Sequence, residues 1–187
     1  MAWKGINGAG HGNRRPGAQL DDPPRPAIVQ KLAEEGPMDI TELLTEDRII
    51  HLRKEKTKAD SLKALLKVLA KTDEVTKEKE LAKAISDRER ILSTGIGQCM
   101  AIPHAKIPSV SRFIAAMGIS KEGIPFDSLD GKPVNVIVMI AGPEGKNEEY
   151  LRILARFVAI LKPEQTRQRI LAAKGAAQIL DILQEIK

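Results

Sequence analysis

The sequence predicts an α/β fold, a single layered domain with a central mixed β-sheet flanked by helices. Two near-continuous apolar runs, residues 113–119 and 134–141, read as strands covered on both faces. Between and around them, leucines and isoleucines recur every three or four residues, which is the period of amphipathic helices. Alternation of the two kinds of segment is the mark of a layered α/β domain.

The elements follow in order. Residues 1–37 hold 6 of the 14 glycines and 5 of the 11 prolines, with no sustained periodicity before residue 28, and read as a disordered or non-native N-terminal extension. Trp3 and His11 fall there and are given no role. The folded domain is expected over 38–187. Residues 48–53 alternate in the manner of a short strand, with His51 as an ordinary strand residue. Thr57 to Asp60 reads as a capping box, after which Leu62, Leu65, Leu66 and Leu69 mark one helical face. Thr76 is expected to open a second helix with Leu81, Ile85 and Leu92 as its buried stripe. Asn147 is expected to cap a helix with the stripe Leu151, Leu154, Val158 and Leu161. Pro163 suits a first helical position, and Gly175 separates that helix from a last one carrying Ile179, Leu183 and Ile186.

Composition excludes several classes. The chain has 187 residues, 42% hydrophobic and 29% charged, enough for one core of ordinary size. Its apolar runs are too short to span a bilayer, and the first twenty residues lack the apolar core of a secretory signal. The lone Cys99 forbids an internal disulfide, and a cytoplasmic location is expected. The net charge of +5 is spread as mixed Lys/Glu patterns on helices, and with 3% aromatic residues little is available for bases to stack on. Neither nucleic-acid binding nor membrane insertion is expected. Gly142 to Asn147 has too few residues between its glycines for a P-loop, and Asn147 stands where a magnesium-binding hydroxyl is needed, so it reads as a strand-to-helix turn. No cysteine pair, His-Glu-x-x-His or Gly-x-Ser-x-Gly occurs, and no metal or cofactor is expected.

The chemistry concentrates in residues 93–105, STGIGQCMAIPHA. Pro103 fixes its own φ and pushes Ile102 into an extended conformation, so His104 is held at a strand end. Gly95 and Gly97 allow a loop whose amides approach an anion, with Ser93 and Thr94 as hydroxyl donors. A neutral imidazole is a competent nucleophile toward phosphorus. Arg88 lies near the C-terminal end of the preceding helix, just before the Ser-Thr-Gly loop, where the helix dipole favours a cation.

Asp87 to Arg90, Ser93 to Gly97 and Ala101 to Ala105 together resemble the active-site signature of the type-2 enzyme IIA domain of the bacterial phosphotransferase system (PTS), its fructose/mannitol and nitrogen-regulatory branch. The resemblance spans 38–187. It implies a phosphocarrier that accepts a phosphoryl group on His104 from an HPr-type protein and passes it to a IIB domain or uses it as a regulatory mark. It further implies that Arg88 meets the phosphate while Ser93, Thr94, Gly95 and Gly97 bind it or support the loop. A shallow apolar surface is expected around His104, with Ile107 and Pro108 on its rim. Two positions depart from the family. Tyr150 replaces a second histidine found in many relatives, and Cys99 replaces a common glycine. Tyr150 keeps an alternative open, a IIA-like module that binds partners without being phosphorylated. With no IIB or membrane segment after Lys187 in the sequence, a nitrogen-regulatory IIA or a separate IIA subunit is expected over a fused permease, the nitrogen-regulatory type being favoured.

Overall fold

The structure is a computed structural model that describes residues 39–186, so the extension expected over 1–37 lies outside the described residues. Two 3₁₀ turns, Ile40–Glu42 and Glu46–Arg48, lead into strand β1 (Ile49–His51). Helices α1 (Lys58–Leu69) and α2 (Glu78–Ile91) follow. Three short strands come next, β2 (Gly95–Gly97), β3 (Met100–Ala101) and β4 (His104–Lys106), then the long strands β5 (Ile114–Ile124) and β6 (Val134–Gly142). Helices α3 (Asn147–Leu161), α4 (Glu164–Ala172) and α5 (Ala176–Gln184) complete the domain.

The six-stranded sheet is mixed, as expected, in the order β1-β5-β6-β3-β2, with β4 also paired to β6. β5 and β6 run antiparallel at its centre, while β1 pairs parallel to β5 and β3 and β4 pair parallel to β6. Both central strands are buried over nearly their whole length because a hydrophobic layer covers each face. One face packs Met117, Val138 and Ile140 against Ile153, Phe157 and Ile179 of the C-terminal helices. The other packs Ile114, Ile137 and Met139 against Leu65, Leu69, Leu81 and Ile85 of α1 and α2.

β3 and β4 are successive pieces along one side of β6, opposite Val136 and Ile137 and then opposite Ile140, Ala141 and Gly142. Pro103 separates them. Its nitrogen has no proton to donate, although its carbonyl still accepts from the Ile140 amide at 2.9 Å. The Ile102 amide turns instead to the Thr94 carbonyl at 3.0 Å, tying β4 to the loop that follows α2.

Thr57 caps α1 as expected, accepting from the Asp60 amide. Other boundaries differ from the sequence reading because tertiary partners took the capping groups. The Thr76 hydroxyl donates to the Ser109 carbonyl at 3.0 Å, and α2 starts at Glu78. Asn147 is the first residue of α3, and its side-chain oxygen accepts from Lys106. Pro163 occupies the N-cap of α4, one position earlier than expected. Leu92 and Leu151, expected in buried stripes, are 60% and 52% exposed. Leu92 lies beyond the end of α2, and the buried stripe of α3 runs through Ile153, Phe157, Ile160 and Leu161. β5 extends to Ile124, past the expected end at 119, through a register irregularity. Among the described residues no helix is long and apolar enough to cross a membrane.

Candidate active site

His104 opens β4 and is half-buried. Its Nδ1 lies 2.6 Å from the Ile102 carbonyl oxygen, and its Nε2 lies 3.2 Å from Nε of Arg88. A carbonyl can only accept and a guanidinium N–H can only donate, so these partners assign the tautomer. The proton sits on Nδ1, and Nε2 carries the lone pair. Arg88 is fixed at the end of α2 by a second bond, Nη1 to the Leu92 carbonyl at 2.9 Å. Leu92 is the extended residue just past the helix, so the guanidinium lies at the C-terminal end of α2, where a cation is favoured.

Burial holds the His104 pKa below the ordinary 6.5, and the Arg88 charge pushes the same way. The Ile102 bond and the Glu89 charge pull it up, but the net shift is downward. The imidazole is therefore neutral at pH 7, as a nucleophile must be. An NMR titration of the His104 ring is expected to give a midpoint below 6.5, and Arg88→Gln is expected to raise it by removing the cation. Any reaction that uses the Nε2 lone pair then holds its rate through neutral pH and loses it as the pH falls through that depressed midpoint.

An aromatic stack stands against the histidine. Tyr150 meets His104 edge-on, with ring centroids 5.6 Å apart, and its other side stacks on Phe113 at 6.1 Å. Burial pushes the Tyr150 hydroxyl up to about 12, so it remains a neutral phenol and a proton donor. Lys106, two residues after His104 and on the same side of β4, places its ammonium 4.8 Å from the centre of the Tyr150 ring. Sequence reasoning missed Lys106; its spacing from His104 along a strand was the available signal.

The residues expected to cradle phosphate divide into two groups. Arg88, His104 and Tyr150 come together. Ser93 and Thr94 instead build the support beneath the loop. Thr94 is buried, and its amide and hydroxyl donate to the Glu89 carboxylate at 3.0 and 2.5 Å. The Ser93 hydroxyl donates to the Phe126 carbonyl at 2.9 Å and accepts from the Gly95 amide at 3.2 Å. Lys58 Nζ completes this network 2.6 Å from Glu89.

The two glycines are explained by close packing. A Cβ on Gly95 would lie 2.8 Å from the Ser128 Cα, and Gly97 has a φ of 85° with the Asp130 carboxylate beside it. The amide of Gly95 is thus already bonded, and the anion next to Gly97 is the protein's own. Ile107 is buried while Pro108 is exposed, and exposed apolar side chains follow Arg88 and Tyr150 in the chain, Ile91 and Leu92 after the first and Leu151 after the second.

Glu89 and Lys58, also missed by sequence reasoning, hold the loop through an ion pair whose carboxylate is 7% exposed. Glu89→Ala leaves Lys58 only its longer contacts to the Asp127 carboxylate at 3.4 Å and the Ser93 hydroxyl at 3.3 Å, and removes the acceptor of two Thr94 bonds. Loss of a buried partner predicts about 3 kcal/mol of destabilisation, the low end of the range for breaking a buried pair because Lys58 reaches solvent. A urea titration of the variant measures it.

Fold and motif together define the class, an α/β domain of the kind found in the enzyme IIA domains of the PTS. The family model described as "Phosphoenolpyruvate-dependent sugar phosphotransferase system, EIIA 2" matches residues 42–186, and the chain belongs to that family. It is 38% identical over 148 residues to the fructose-specific EIIABC component of Bacillus subtilis, covering 79% of this chain and only 23% of that longer protein. It is 30% identical to the nitrogen regulatory protein of Bradyrhizobium diazoefficiens, covering 78% of this chain and 95% of the relative. Among solved structures, the nitrogen regulatory protein IIA-Ntr from Neisseria meningitidis superposes with a TM-score of 0.72 at 25% identity, over 77% of this chain and 98% of that one. The fold also matches Escherichia coli IIA mannitol in complex with phosphorylated IIB mannitol, with a TM-score of 0.66 at 20% identity over 76% and 99% of the two chains.

Proposed function

We propose that the protein is a phosphocarrier whose acceptor is Nε2 of His104, charged by an HPr-type phosphohistidine donor. The observation that carries this reading is the pair of bonds on the imidazole, Nδ1 to the Ile102 carbonyl and Nε2 to Arg88. The first keeps the proton away from Nε2. The second holds a cation where a phosphoryl oxygen would arrive. In the transfer, the donor's P–N bond breaks with its electron pair returning to the donor imidazole, and a new P–N bond forms at Nε2. Arg88 shifts its N–H from the nitrogen lone pair to a phosphoryl oxygen, and Tyr150 and Lys106 supply a hydroxyl donor and a second cation on the other side. This is positioning and charge neutralisation, which phosphoryl transfer chiefly requires.

The retained Nδ1 proton also serves release. Phosphorylated at Nε2 and protonated at Nδ1, the ring is an imidazolium, a better leaving group than a neutral imidazole, so the phosphoryl group can pass onward to a IIB domain or mark the protein for a regulatory target. The exposed Ile91, Leu92 and Leu151 supply an apolar surface on which donor and acceptor would dock in turn. Relatives belong to both the sugar and the nitrogen-regulatory branches; we favour the latter, supported by the superposition on IIA-Ntr.

The test is transfer from phosphoenolpyruvate through enzyme I and HPr-type carriers, read by intact mass and by ³¹P NMR of the product. An acid-labile gain of one phosphoryl group with an Nε2-phosphohistidine signal is expected. No gain with any carrier would overturn the proposal in favour of a IIA-like module that binds without being phosphorylated.

A further inference from the structure

At the sheet edge opposite β4 lies a cavity of about 570 Å³ that the phosphocarrier chemistry does not use. His51 and Arg53 line it from the end of β1, Lys121 from β5, and Lys174 from the turn after α4. Leu52, Ile119, Ala172 and Ala173 line it with apolar surface. The single carboxylate in the lining, Glu122, is already paired with Lys56. Among the described residues none of Arg53, Lys121 and Lys174 makes an ion pair.

The location separates this cavity from His104. His51 pairs with Ile119 and His104 pairs with Ile140, which stands opposite Ala115. Ile119 lies four residues further along β5, roughly 13 Å at about 3.3 Å per residue, and the two groups occupy opposite edges of the sheet. One anion cannot touch both.

Cations on three separate elements around one concave, partly apolar volume raise a local positive potential that no ion pair among the described residues neutralises. Lys174, next to the carbonyl end of α4, also has a local reason to be basic. Arg53 and Lys121 have none, since each follows or lies in a strand. The volume is in the range of small-molecule sites, and an arginine fork with two ammonium groups matches an anion carrying several oxygens and more than one charge. We propose that this cavity is a second anion site that takes a small phosphate ester or diphosphate, its phosphate against Arg53, Lys121 and Lys174 and its carbon body against Leu52 and Ile119.

Inorganic pyrophosphate is the probe, with ¹H–¹⁵N NMR of the full chain as the readout and sodium chloride as the ionic-strength control. Saturable shifts are expected at the amides of residues 51–53, 121 and 174 and at the His51 ring, with a dissociation constant below about 1 mM. Arg53→Gln with Lys174→Gln is expected to weaken binding at least tenfold while leaving the spectrum of the fold intact, since both side chains are exposed. A folded protein with no saturable shift at these positions, or an unchanged affinity in the double variant, overturns the proposal. So do shifts confined to His104 and Arg88, and these would leave the phosphocarrier reading in place.

Discussion

His104→Gln is expected to abolish acceptance of a phosphoryl group, a loss of at least about 10⁴-fold in rate, with the fold retained. Glutamine fills part of the same half-buried space and can still bond to the Ile102 carbonyl, but its amide has no lone pair able to form a P–N bond. Arg88, Tyr150 and Lys106 remain in place in this variant, so it separates the nucleophile from its electrostatic surroundings. Intact mass after incubation with the phosphorylated donor measures the effect, and thermal unfolding checks the fold. Residual labelling at the wild-type rate would move the acceptor to another nucleophile. A folded variant that no longer accepts phosphoryl, beside a wild type that does, leaves His104 as the residue that reacts.

The helices and the two central strands were legible in the sequence because their side chains obey one period over many residues. Leu65 and Leu69, or residues 134–141, repeat the same message several times, and no single partner decides the outcome. Helix starts carried less redundancy. Thr76 and Asn147 are sound capping residues by type, but the Ser109 carbonyl and the Lys106 ammonium engaged them first. The site was legible where chemistry and chain proximity coincide: Arg88, Ser93, Thr94 and His104 lie within one short segment. Lys58 is 31 positions from Glu89 in the chain, and only the fold brings the two to 2.6 Å. The glycines show the opposite failure. Gly95 and Gly97 were read as room for an anion, yet the space is taken by Ser128 and Asp130, because a missing Cβ admits any neighbour and the sequence does not say which.

Gly142→Ala is expected to be the most destabilising single methyl addition in the domain, and its effect should reach the active site. A Cβ on Gly142 would stand 2.0 Å from one carbon of the Phe113 ring and 2.1 Å from another, far inside contact distance. Neither partner can yield easily. Gly142 is held in the β6 ladder opposite Lys106, and Phe113 is 3% exposed, with its ring stacked on Tyr150. Overpacking of a well-filled core costs about 1–3 kcal/mol and more where neither side can move, so about 3 kcal/mol or more is expected here. With a urea slope of order 1.5 kcal/mol/M for a domain of this size, the unfolding midpoint should fall by about 2 M. Displacement of Phe113 would also remove the support behind Tyr150 and shift the ring that meets His104 edge-on. Phe113→Leu supplies the decisive comparison. By itself it should destabilise through lost packing, but in the Gly142→Ala background it removes the clashing ring, so the double variant should be more stable than Gly142→Ala alone. Strict additivity of the two changes would show that the ring is not what Gly142 makes room for.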